Sequence, residues 1–166
     1  SEEIELNPAL EDAAIEVLET DLGEYIVQLM EQIPSHLIIP ALHLTRKDIA
    51  DLFTKKLGTD YTEEPEELLK IARARLREKF LSADMGISGA NFAVADSGTI
   101  AIVENEANAH LTTSLPKIHV ALFGIEKFVR NFKDIPVFLK LLAPSATGQK
   151  TSTYVNFIGG TAGKRY

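Results

Sequence analysis

Apolar positions along this chain follow two spacings, one of three to four residues and one of two, and their alternation predicts an α/β protein. Asn7 to about Ala14 reads as a short helix, with Asn7 as cap and Pro8 in its first turn. Ile15-Glu16-Val17-Leu18-Glu19 alternates as a strand does. Asp21 then caps a helix whose Leu22, Ile26, Leu29, Met30 and Ile33 share one face, with Glu24 placed as in a capping box and Pro34 ending it. His36-Leu37-Ile38-Ile39 is a short apolar run of buried-strand type, closed by Pro40. Thr45 caps a third helix, which Gly58 ends. Residues 15–57 therefore read β-α-β-α, the order of a parallel sheet.

Pro65 opens the longest helix, over about 63–82, with Leu68, Ala72, Leu76 and Phe80 as its stripe. Acidic residues at its start and Arg73, Arg75, Arg77 and Lys79 toward its end suit the helix dipole. Met85–Asn91 is glycine-punctuated. Phe92–Ala95 and Thr99–Val103 read as two strands joined by Asp96-Ser97-Gly98, with Gly98 at the left-handed position of the turn. Glu104–His110 reads as a polar loop and Ile118–Phe123 as a strand. Ile125–Val129 reads as the start of a helix, and Asp134 caps another. Pro144–Lys150 reads as a polar loop and Tyr154–Ile158 as a final strand. No internal repeat or linker interrupts residues 1–166, so one domain is expected.

Composition narrows the classes. With 166 residues, 45% hydrophobic and 25% charged, the chain can bury a core. No run of about 18 apolar residues predicts a membrane span, and the acidic start is not a secretory signal. The absence of cysteine removes disulfides, thiolate metal sites and a cysteine nucleophile from these residues, and cytoplasmic placement is expected. The net charge of −7 is uneven. Residues 1–45 hold 10 acidic and no Lys or Arg residues, and the remainder carries a net +3. An acidic chain is a poor partner for nucleic acid. Its first third is either a solvated face or a dock for a basic partner.

Ligands of open parallel sheets collect at strand carboxyl ends. Glu19-Thr20-Asp21, Pro40 to His43 and Gly124 to Lys127 fall there. Asp21 is a paired carboxylate with Glu19 or simply a helix cap. Asp96, Ser97, Gly98 and Thr99 suit a phosphate or carboxylate, or merely turn a hairpin, and Ser145–Lys150 poses the same choice. His119, in an apolar strand, reads as a hydrogen-bonded near-core residue; His43 and His110 lie in loops. Gly159–Lys164 misses P-loop spacing by one residue, with Arg165 where a magnesium-binding hydroxyl belongs.

The segments GISGANFAVADSGTIAIVENEANAH, LTTSLPKIHVALFGIEKFV and LLAPSATGQKTSTYV, preceded by EEIELNPALE, ETDLGEYIVQL and PSHLIIPALH, resemble the lactate utilization protein B family of iron–sulfur cluster-binding proteins. The resemblance runs from about Glu2 to Gly160. It implies an α/β fold, a mostly parallel sheet flanked by helices, similar to the sugar-phosphate isomerase and CoA-transferase (NagB/RpiA-like) group. It implies electron transport in the oxidation of L-lactate to pyruvate, as part of an oxidoreductase complex with other lactate-utilization proteins. Family members carry a ferredoxin-like segment with cysteines for two [4Fe–4S] clusters. That segment is missing here, so the resemblance implies a truncated piece of a longer protein. Two loops depart from the family. Asp96-Ser97-Gly98-Thr99 replaces Glu-Thr-Gly-Thr and keeps the chemistry; Asn105–His110 replaces a loop with glycines and an arginine, weakening a carboxylate clamp there.

The resulting candidates for ligand or partner contact are Asn91, Asp96, Ser97, Gly98, Thr99, Glu104, Asn105, Glu106, Thr112, Thr113, Glu126, Ser145, Thr147, Gly148 and Gln149. A small carboxylate, phosphate or CoA ester is the alternative ligand class. No residue is assigned a catalytic role, and no metal site is expected in these residues.

Overall fold

The computed structural model describes residues 6–31 and 41–159. The chain divides into two compact units, Ser1–Ala83 and Asp84–Tyr166, taken here in turn.

Among the described residues, the first unit holds four helices, α1 (Leu6–Asp12), α2 (Leu22–Leu29), α3 (Arg46–Leu57) and α4 (Pro65–Ser82). Asp21 caps α2, its Oδ1 accepting from the amides of Gly23 at 2.9 Å and Glu24 at 3.2 Å. Thr45 and Asp48 close a reciprocal capping box on α3, and Gly58 ends that helix at φ +67°. Ile26 of α2, Ala50, Leu52 and Phe53 of α3, and Leu68 and Ala72 of α4 form one buried cluster. Tyr25 joins Leu76 and Phe80 in a second. Phe53 is 1% exposed, and burial of such a side chain contributes about 1.5–3 kcal/mol.

The strand expected at Ile15–Glu19 does not form. Its backbone is held by one side chain instead. Gln28 Oε1 accepts from the Glu19 amide at 3.0 Å, and Gln28 Nε2 donates to the Val17 carbonyl at 2.8 Å. Ile15 is half exposed, so the alternation carries no buried face. Asn7 is not a cap either. The helix begins one residue earlier, and Asn7 Nδ2 donates to Glu19 Oε1 at 2.5 Å. The expected strand at His36–Ile39, with Pro34 and Pro40, lies outside the described residues, as does the near P-loop beyond Gly159.

The second unit contains β1 (Met85–Ser88), β2 (Phe92–Val94), β3 (Thr99–Glu104), α5 (Asn108–Ser114), β4 (Ile118–Ala121), β5 (Phe128–Val129), α6 (Ile135–Thr147) and β6 (Tyr154–Ile158). β1 and β4 pair in parallel. The other strands form a mixed sheet of order β5-β2-β3-β6, in which β2–β5 is parallel and β2–β3 and β3–β6 are antiparallel. The α/β class read from the sequence is the one observed. α6 lays Ile135 and Leu139 against Val94 and Val129, which closes the core on one side of the mixed sheet.

Met85–Ser88, glycine-punctuated in the sequence, is a strand on which Gly86 lets α5 lie directly: a Cβ there would fall on the Thr112 carbonyl oxygen. Four local expectations need correction. Asn108–Ser114 is helical where a polar loop was expected, since Glu104 supplies the missing cap from a distance. Ile125–Lys127 is one 3₁₀ turn, and Phe128–Val129 then pairs with β2 rather than continuing a helix. α6 runs through Pro144 to Thr147, and Gly148 ends it at φ +71° with its amide bonded to the Pro144 carbonyl. Asp134 precedes α6 without a side-chain cap bond.

Candidate functional site

Glu104, the last residue of β3, organises the polar side of the second unit. Its Oε2 accepts from the Ala109 amide at 2.8 Å, and its Oε1 accepts from the His110 amide at 2.9 Å and Asn156 Nδ2 at 2.6 Å. Those amides are free donors in the first turn of α5, so the carboxylate ties helix, β3 and β6 together. The role is the one a helix N-terminus assigns to any nearby anion. Beside it, Asn105 Nδ2 donates to Gln149 Oε1 at 3.2 Å, and Asn105 Oδ1 accepts from the Thr153 amide at 3.0 Å. Glu104, Asn105 and Gln149, dispersed in sequence, are therefore brought together. Glu106 is exposed on the same turn.

The other sequence candidates sit elsewhere. Asp96, Ser97, Gly98 and Thr99 form the β2–β3 hairpin, with Gly98 at φ +65°, its amide bonded to the Val94 carbonyl at 2.9 Å, and Ser97 Oγ donating to Thr99 Oγ1 at 3.1 Å. Asn91 Oδ1 accepts from the Val103 amide at 2.8 Å. Asn91 and Glu126 flank an apolar cleft of about 250 Å³ walled by Phe92, Phe128, Phe138 and Leu142. Glu126 folds back over Gly124, where a Cβ would overlap its carboxylate. Ser145 Oγ donates to the Leu141 carbonyl at 2.7 Å within α6, where Thr147 and Gly148 close the helix.

A second cleft, of about 450 Å³, opens between α5 and β6. One wall is His110, Thr113 and Ser114, spaced by three and four residues on one helix face; the other is the run Val155–Gly159. Thr113 Oγ1 and Ser114 Oγ both donate to the His110 carbonyl, at 3.1 and 2.6 Å. Their protons are thus used internally, and what they offer a ligand is lone pairs. Thr112, one residue away, is buried with its Oγ1 donating to the Asn108 carbonyl at 2.9 Å. Ser114 and Asn156 escaped the sequence reading. Their signal was the helical spacing of Ser114 from His110, hidden while that stretch read as a loop.

Ser88 and His119 make a third arrangement. Ser88 Oγ and His119 Nε2 lie 2.8 Å apart, with Ser88 ending β1 and His119 the second residue of β4, opposite Gly86 in the parallel pair. Burial lowers the His119 pKa below its ordinary 6.5, which favours the neutral imidazole. Ser88 was not among the sequence candidates. Among the described residues, no three His, Asp or Glu side chains converge as a metal site requires.

The LUD domain model matches residues 4–165. The chain belongs to the LUD domain family. It is 49% identical over 160 residues to lactate utilization protein B of Bacillus pumilus, covering 96% of this chain and 34% of that protein. It is 48% identical over 161 residues to lactate utilization protein B of Shouchella clausii, and 49% over 161 to that of a Geobacillus species, each match again covering 96% of this chain and 34% of the relative. The LUD chain thus spans about a third of the length of these curated relatives. No solved structure matches it. No helix among the described residues is long and apolar enough to cross a membrane.

Proposed function

We propose that this LUD domain works in lactate utilization, as part of an iron–sulfur electron-transfer protein that acts with other lactate-utilization proteins in oxidising L-lactate to pyruvate. The observation that supports it is near-50% identity along 96% of the chain to proteins named for lactate utilization. The two [4Fe–4S] clusters expected of the longer protein do not fit these residues. Such clusters are held by cysteine thiolates, and the 166 residues contain none. The domain's share is therefore binding and positioning, and electron transfer belongs to sequence beyond it. In a strain that grows on L-lactate, deletion of the gene for the full-length protein should abolish that growth, with restoration by the full-length gene alone. Unimpaired growth overturns the reading. Anaerobic iron analysis of the full-length protein tests the clusters separately: about eight irons per chain are expected from two four-iron clusters, and none overturns that assignment.

The Ser88–His119 pair supports a second reading, a small-molecule enzyme acting on an ester or CoA thioester. Nucleophile and base stand within hydrogen-bond reach. In the acyl-transfer step, Ser88 Oγ bonds to the acyl carbon as its proton passes to His119 Nε2, and the departing alkoxide or thiolate takes that proton. Water then attacks in the same way and releases the acid. A fluorophosphonate probe should label Ser88 and fail to label Ser88→Ala. Absence of labelling in the native chain removes this reading without touching the first.

A further inference from the structure

α6 is apolar on both of its sides. Ile135 and Leu139, four residues apart, pack against Val94 and Val129 of the mixed sheet, and Ala143, one turn on, is buried as well. A surface helix turns polar and charged residues the other way. α6 instead turns out Val137, Phe138 and Leu141, which are 61%, 42% and 63% exposed, and Lys140 is the one charged residue among its thirteen. Spacings of three and four residues join the three into one stripe. The stripe continues across the neighbouring cleft, which Phe138 and Phe128 line together, and Phe128 is 55% exposed. Half-exposed phenylalanines leave on the order of 100 Å² each in water, so the four side chains leave roughly 400 Å² of apolar surface, the size at which a patch marks an interaction site. A helix apolar all round belongs in an interior.

The lengths of the relatives say what is available to cover it. The matched residues make up 34% of lactate utilization protein B of Bacillus pumilus, so about twice as much sequence lies outside the match as within it. Sequence on the same chain stays near α6 at an effective concentration on the order of millimolar. A second copy or a separate protein must come from dilute solution and lose its own translational freedom. Interfaces between domains of one chain bury about 600–1,500 Å², which this patch and a polar rim supply. Glu126 and Lys127, which also line the cleft and are largely exposed, begin that rim.

We propose that the outer face of α6 is the seat of the further sequence of the full-length protein, and that a large apolar side chain from that sequence enters the cleft between Phe128 and Phe138. The cleft, of about 250 Å³, takes one such side chain, and desolvated pockets with aromatic walls hold the anchor residues of interfaces. The proposal rests on the reading of this domain as part of a longer lactate-utilization protein. It deepens that reading by naming the surface that joins the domain to the remainder. It makes no use of the reaction, so it can fail while that reading stands.

Thiol labelling tests it, because the 166 residues contain no cysteine. Val137→Cys and Leu141→Cys are made in this chain and in the full-length protein, with Lys47→Cys, at an exposed position of α3, as the reference. Anaerobic maleimide labelling is followed by mass spectrometry of the peptide that carries the new thiol. In the dilute 166-residue chain both α6 thiols should react within about threefold of the reference. In the full-length protein they should react at least tenfold more slowly, at every protein concentration, with the reference unchanged. Leu141→Asp should lower the melting temperature of the full-length protein and leave that of the 166-residue chain in place. Equal labelling of α6, or an equal fall on Leu141→Asp, in the two proteins overturns the proposal. Slow labelling in the dilute 166-residue chain also overturns it, because these residues then cover the stripe themselves. Slowing that grows with concentration overturns it in favour of a second copy, and slowing that requires the other lactate-utilization proteins overturns it in favour of a separate partner. An open reading frame that ends near Tyr166 overturns it outright. The labelling rates are independent of growth on L-lactate and of iron content, so the parent reading and this proposal fail separately.

Discussion

Glu104 Oε1 and Asn156 Nδ2 meet at 2.6 Å across the β3–β6 ladder, while the same carboxylate accepts the Ala109 and His110 amides of α5. One side chain thus fastens a short helix to a sheet edge. Glu104→Ala would leave two helix amides and a half-buried Asn156 amide without that acceptor. Hydrogen bonds to charged groups contribute about 1.5–3 kcal/mol, so a loss of about 3 kcal/mol is expected, read as a lower urea midpoint with an unchanged slope. Glu104→Gln should lose less, because its carbonyl still accepts.

Gly86 is the second fastening point. A Cβ there would meet the carbonyl oxygen and carbon of Thr112, and backbone cannot move aside as a flexible side chain does. Gly86→Ala must lift α5 from β1. Overpacking costs about 1–3 kcal/mol, and the α5–β6 cleft should change shape with it. The check is a thermal melt together with amide shifts of His110–Ser114. Unchanged shifts would show that the helix does not rest on β1.

Sequence legibility followed the reach of the deciding contact. α2, α3 and α4 were readable because their caps and stripes are local: Asp21 bonds residues two and three ahead, and Thr45 pairs with Asp48. The β2–β3 hairpin was equally readable from Gly98. α5 was not, because its first amides are capped by Glu104, five and six residues away, and its N-cap is an alanine. The false strand at Ile15–Glu19 failed for a related reason: a Gln28 side chain, not a neighbouring strand, satisfies it. At the site, Asn105 and Gln149 were both named from loop composition, but their 3.2 Å contact spans 44 residues. Ser88 carried no mark in a glycine-punctuated stretch, since its partner His119 lies 31 residues on.

Ala107 precedes α5 at φ +66°. A left-handed conformation costs an L-residue about 1–2 kcal/mol, and glycine adopts it freely while losing more entropy on folding. Ala107→Gly should therefore stabilise the chain by up to about 1 kcal/mol. Chemical denaturation of the two forms checks it, and a lower midpoint for the glycine form would show that φ is not positive there.

His119 makes stability depend on pH. Its pKa is lowered by burial in the folded chain, so the unfolded chain binds the proton more readily. Stability from this group is present above the ordinary pKa of 6.5 and is lost as pH falls through the lower folded value. Protonation would also leave Nε2 able only to donate toward Ser88 Oγ, 2.8 Å away, so the change couples to the β1–β4 pair. Urea midpoints should fall as pH drops below 6.5, and His119→Gln should flatten that slope. NMR titration of the ring supplies the independent check, with a midpoint below 6.5. A midpoint above that value would mean that a charge partner, and not burial, governs the imidazole.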